Sequence, residues 1–213
     1  MSDRDAALMA RMRAFSWPER APVRLEDAWA FLRAHPLPPD RFELRSAGAG
    51  EQALHHAEVA LGRALPLVLR QALGEHDGIV ERWTNSGPFF AGAAELRGEW
   101  DRFEREWQEL QQLLDEGELE PGDWQGIGPT EVQLDQLFPL GHEQGGHICF
   151  VLDTSRTSSV GEHPVLWFDP ETPELVARWL SLGHFLAWIA CDARCHPQRP
   201  RPPDMGRLFP RRS

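Results

Sequence analysis

The order of periodic segments along this chain predicts an α+β fold. Three observations carry the prediction. Helical spacing of apolar residues dominates the first 115 positions, short β-prone runs separated by turn residues occupy 132 to 168, and one more amphipathic helix follows. The length of 213 residues suits one domain with extensions. An apolar fraction of 41%, with nine Trp and eleven Phe, supplies enough volume for a sizeable core.

The first strong helix is expected over 25–34, where Ala28, Trp29, Phe31 and Leu32 form an apolar side and His35-Pro36 ends it. PLPPD and SAGAG then read as connectors, so residues 1–50 are expected to form a helical N-terminal extension. A second helix is expected over 52–61, with Leu54, Ala57 and Leu61 on one face and Gly62 placed to stop it. Pro66 suits the first turn of a third helix whose buried side is Leu65, Leu69, Ala72 and Leu73, and Gly78 closes the stretch. Gly87 to Phe90 reads as a turn entering an extended segment. The strongest pattern spans 93–115: Leu96, Trp100, Phe103, Trp107, Leu110 and Leu114 form one stripe, suited to packing on a sheet. Asp101 and Arg105 are spaced to pair on its outer face.

Residues 116–129 read as a loop. The β-prone runs are Val132 with Leu134, then 137–140, 148–152 and 165–168, and the turn around HEQGGH predicts a hairpin. The final helix, over 182–193, turns Phe185, Trp188 and Ile189 inward. The Arg- and Pro-rich tail, 194–213, has a composition expected to remain disordered.

Charge narrows the function classes. The net charge is −11, and between Glu95 and Asp123 eleven acids face three Arg. Phosphate contacts need cations, so direct nucleic-acid binding is not expected. A basic protein partner is, and otherwise the acids serve solubility. Three Cys argue against a disulfide framework and fit a reducing compartment. With no secretory pattern at the N-terminus and no run of ~20 apolar residues, a cytoplasmic protein without a membrane span is expected.

The motifs of catalysis are sparse. His142, His147, His163 and Asp153 flank the strand region and are the candidates for a metal-dependent hydrolase, yet no HExxH or CxxC accompanies them. Cys191, Cys195 and His196 form CxxxCH, one residue longer than the haem-attachment motif. Cys149 lies in an apolar run and reads as a buried, inert thiol. GxSxG and a P-loop are absent, and no catalytic residue, metal or cofactor is predicted.

The stretch AEVALGRALPLVLRQALGEHDG resembles the opening of the SUKH superfamily, which includes bacterial immunity proteins and the yeast cell-wall synthesis regulator. Its parts are Glu58, then Leu-Gly, Leu-Pro, a helix, and Asp77-Gly78. LFPLGHEQGGHICFVLD, ending on Asp153, is similar to a second signature. PVLWFDPET and LSLGHFLAWIA match a later strand and the last helix, so the resemblance covers about 51–193. It implies a mainly antiparallel sheet with helices against one side, and binding in place of catalysis. The implied partner is a cognate protein toxin, of a kind that is often a nuclease, and basic in view of the charge; the alternative is a regulatory scaffold with an endogenous partner. The expected contact residues are Glu99, Glu106, Glu109, Asp115, Glu116, Glu118, Glu120 and Asp123, with an exposed Trp124 as apolar anchor.

Overall fold

The computed structural model describes residues 23–195, apart from 46, 83–87, 121–123, 128–132 and 144–147. Five helices are described: α1 (Leu25–Ala34), α2 (Glu51–Leu61), α3 (Leu67–Glu75), α4 (Leu96–Glu116) and α5 (Leu182–Cys195). The strands are β1 (Phe42–Leu44), β2 (Ile79–Glu81), β3 (Pro88–Phe90), β4 (Gln125–Gly126), β5 (Leu137–His142), β6 (Cys149–Asp153), β7 (Val165–Asp169) and β8 (Glu174–Trp179). The α+β class expected from the sequence is the one observed.

The strands form a three-stranded sheet, β1-β2-β3, and a five-stranded sheet, β4-β8-β7-β6-β5. All pairs are antiparallel except β4 with β8. The two sheets meet where Ala91, just after β3, donates its N–H to the Leu140 carbonyl at 2.6 Å. A bulge in β5 lies between Pro139 and Gly141, where a residue without an N–H is tolerated. Gly141 has φ 152°, and a Cβ there would sit 2.4 Å from the Pro88 carbonyl oxygen. Only glycine lets the two sheets approach so closely.

Alternation along β6 builds two cores. Phe150 and Leu152 join α1, α2, α3 and α5 in the larger cluster, whereas Cys149 and Val151 face Phe103, Trp107 and Leu110 of α4. The helices therefore divide between the two faces of the sheet, where the resemblance implied one. Both faces of β6 and β7 being apolar explains this: a single helical layer would leave Val151, Leu166 and Phe168 uncovered.

Helix α1 shares the larger core, with Trp29, Phe31 and Leu32 buried against it. Gly62 takes the left-handed conformation that ends α2, at φ 70°. The hairpin expected around HEQGGH is present, with His142 opposite Cys149. Val132 lies outside the described residues, and Leu134 begins a single 3-10 turn instead of a strand. On α4, Asp101 pairs with Arg97 in place of Arg105. The tail beyond Cys195 lies outside the described residues. Among those described, no helix is long and apolar enough to cross a membrane.

Candidate functional site

The acids singled out by sequence fall into three environments. Glu99 projects from the inner side of α4, only 6% exposed, and its Oε2 lies 2.8 Å from Nδ1 of the buried His142 on β5. Glu106 stands two turns further along the same side. It accepts a hydrogen bond from the Cys149 thiol at 3.4 Å, and burial pushes its carboxyl above the usual range. Glu99 is buried and Glu106 half-buried, and the two carboxylates tie α4 to the sheet. Burial, reinforced by the neighbouring Glu106 carboxylate, drives the Cys149 thiol well above its ordinary pKa, so it is no nucleophile at neutral pH.

The second environment is open. Glu109, Asp115 and Glu116 on the outer side of α4, with Glu118 and Glu120 in the turn beyond it, are all exposed. Gln112 donates to Glu116 across one helical turn at 2.7 Å. Among them stands Leu113, 37% exposed and apolar. Gly117 ends the helix in the left-handed conformation, and its N–H with those of Glu118 and Leu119 closes the last turn. The exposed carboxylates thus sit on a rigid helix end and a short closed turn.

The third environment corrects an expectation. Trp124 is half-buried, its ring edge-to-face with Trp107 at 6.0 Å and its indole N–H donated to the Ile127 carbonyl. It closes the smaller core and is not an exposed anchor; Leu113 is the apolar side chain left at that surface. Asp123 lies outside the described residues.

The three described hydrolase candidates do not converge. His142 is engaged by Glu99, while Asp153 lies at the other end of the β5–β6 pair, opposite Leu137, and accepts from the Ser155 N–H and hydroxyl. His163 contacts the Arg156 carbonyl through Nδ1 at 2.8 Å. His147 and His196 lie outside the described residues, and nothing is described of the side chains of Cys191 and Cys195. Among the described residues no group of three or more His, Cys, Asp or Glu is placed to hold a metal ion.

The motif residues act as joints. Glu58 on α2 accepts the Leu65 N–H at 3.2 Å and the Arg70 guanidinium at 2.8 Å, fixing α2 to α3 across the Leu-Gly and Leu-Pro corner. The Leu65 N–H and Arg70 hold its carboxyl below the usual range. Asp77 accepts the Ala93 N–H at 2.7 Å and so ties the end of α3 to the approach of α4. Arg63 lies 4.1 Å over the Trp100 ring and 3.5 Å from that of Phe138, and it donates to the Asp135 and Leu137 carbonyls. Burial lowers its pKa to about 10.

Sequence reasoning missed Glu162. This carboxylate accepts the Leu25 N–H at 2.6 Å and the Gly183 N–H at 3.1 Å, so one side chain caps both α1 and α5. Ser181 completes the junction: its hydroxyl donates to the Val23 carbonyl and accepts the His184 N–H. No local pattern announces a contact between residues 137 positions apart.

No curated protein matches the chain. The family model described as SMI1/KNR4 (SUKH-1) matches residues 48–188, which takes in Glu58, Asp77, Asp153 and the first half of α5. With about two thirds of its length matched, the chain belongs to the SMI1/KNR4 family (SUKH-1).

Proposed function

We propose that this protein is a non-catalytic binding protein of the immunity type, which neutralises a basic protein toxin in the cytoplasm by direct contact. Family membership is consistent with an immunity-type or a regulatory protein. The observation that favours the first is the surface at the end of α4. There Glu109, Asp115, Glu116, Glu118 and Glu120 are exposed around the half-exposed Leu113 on a closed helix terminus. Fixed carboxylates of one sign steer a basic partner and raise its association rate, while a central apolar side chain supplies contact that salt does not screen.

The test is a tagged pull-down from the native host at low and high salt, followed by binding measurements with the protein recovered. The expected result is one stoichiometric basic protein of toxin architecture. Lysine at all five acidic positions should slow its association at least tenfold, with the effect fading as salt rises. Affinity unchanged by the five reversals would remove the acidic helix end from the interface. Recovery of housekeeping proteins alone would favour a regulatory scaffold.

A further inference from the structure

Charge along this chain is sorted by position. Between Glu95 and Asp123 eleven acids stand against three Arg, whereas residues 196–213, HPQRPRPPDMGRLFPRRS, hold five Arg and one acid, Asp204. The acidic part ends on a helix face that the fold leaves uncovered. Glu109, Leu113 and Glu116 follow one another at steps of four and three, so they line one side of α4, and all three are exposed. Glu109 makes no ion pair with Arg105 one turn back, and Asp115 and Glu118 make none among the described residues. Glu116 accepts from the neutral amide of Gln112. The face is thus an exposed leucine with an uncompensated carboxylate on either side, ~10 Å apart along the helix axis.

The basic segment carries the complementary order. In Arg207-Leu208-Phe209-Pro210-Arg211-Arg212 two apolar side chains stand between cations. Arg207 and Arg211 can lie up to ~13 Å apart, enough to set one guanidinium on each carboxylate. Reach is sufficient as well. The end of α4 lies at the β4 edge of the five-stranded sheet, since Trp107 packs on Trp124 just before β4. Helix α5 packs on the opposite face and ends at Cys195. The chain from Cys195 to Arg207 can span up to ~40 Å, against a width of ~20 Å for five strands, so it can pass round that edge.

We propose that the chain's own residues 207–212 dock on this face of α4, with Leu208 and Phe209 covering Leu113 and the flanking Arg side chains meeting Glu109 and Glu116. Held on the same chain, a segment of low intrinsic affinity competes at an effective concentration in roughly the millimolar range. A basic partner must displace it, so the segment is a built-in competitor that turns away weakly basic proteins. The contact concerns the surface proposed above for a toxin, but it forms without one.

The test records amide NMR spectra of the full chain. Replacing R207Q, L208S, F209S, R211Q and R212Q together should shift the amides of 109–120, and raising sodium chloride to about 0.5 M in the unaltered chain should shift them the same way. The substituted residues lie outside the described elements, so Tm should stay within about 2 °C. In the reciprocal variant, E109K with E116K, the Leu208 and Phe209 amides should move to the positions they hold in a free peptide of residues 196–213. The tail variant should also bind a hexa-arginine peptide at least about threefold more tightly than the unaltered chain at low salt. Amides 109–120 that stay in place in the tail variant, or Leu208 and Phe209 amides indifferent to the α4 reversal, would overturn the proposal. So would shifts that grow with protein concentration, which would put the segment on a second copy. None of these measurements contains a toxin, so their failure leaves the toxin reading standing.

Discussion

Replacing Glu162 by alanine tests how α1 is held. The carboxylate satisfies one orphan N–H at the start of each of two helices, at 2.6 and 3.1 Å. Loss of a helix cap costs about 1 kcal/mol, and a carboxylate at a helix start contributes about 0.5 kcal/mol through the dipole. Two helices give about 3 kcal/mol. Against this stands the burial that raises the pKa of Glu162, the largest influence on it, with the N–H bonds of Gly183 and Leu25 opposing. The net loss should be about 2 kcal/mol, or about 6 °C in Tm for a chain of this size. Linkage fixes the pH dependence. A carboxyl whose folded pKa lies above its unfolded value binds its proton more tightly when folded. The native chain therefore gains stability from this group as pH falls through the folded pKa, and the gain is complete below about 4.5. The alanine variant lacks the gain, so the difference between the two should widen from pH 8 to pH 5 in urea denaturation. A difference that narrows would show that the two helix termini outweigh burial, and would refute the reasoning.

Other consequences follow from the same contacts. Glu99→Ala strips His142 of its partner in a buried setting and should cost about 2–3 kcal/mol by denaturant titration; a loss below about 0.5 would mean that water replaces the bond. Cys149 should resist iodoacetamide at pH 8 in the native protein and react on unfolding, as followed by mass spectrometry. A chain cut to the family-matched residues 48–188 loses β1, the second half of α5 and α1, whose buried Trp29, Phe31 and Leu32 alone contribute about 2 kcal/mol each. That sum is comparable with the whole stability of a domain, so the fragment should lack a cooperative thermal transition by calorimetry.

Most of the helices were legible because their apolar spacing is long and regular, and the turn glycines behave as their backbone freedom dictates. The strands were legible in proportion to their burial. β5, β6 and β7 are apolar runs, and each falls within one or two residues of expectation. β8 was missed because only Leu175 and Trp179 of its six residues are buried, and a bulge in its pairing with β7 disturbs the alternation. β1 and β2 have three residues each and owe their conformation to the pairing between them.

The acids show where charge counting stops being informative. Eleven carboxylates between Glu95 and Asp123 look alike as composition, yet Glu99 and Glu106 sit at spacings of four and three from Phe103, on the stripe that faces the sheet. That spacing was available in the sequence and separates mooring residues from surface ones. Glu109, only three residues beyond Glu106, is turned outward by the helical step. The same division runs through the family motifs. Glu58, Asp77 and Asp153 each spend one carboxylate oxygen on a backbone N–H group, and what they fix is the position of elements. Recognition is left to exposed side chains that hold no elements together, such as Glu109, Asp115 and Glu118 at the end of α4. A partner held by these carboxylates should bind less tightly as salt rises, whereas one held by apolar contact should not, so the salt response locates the interface without knowing the partner in advance.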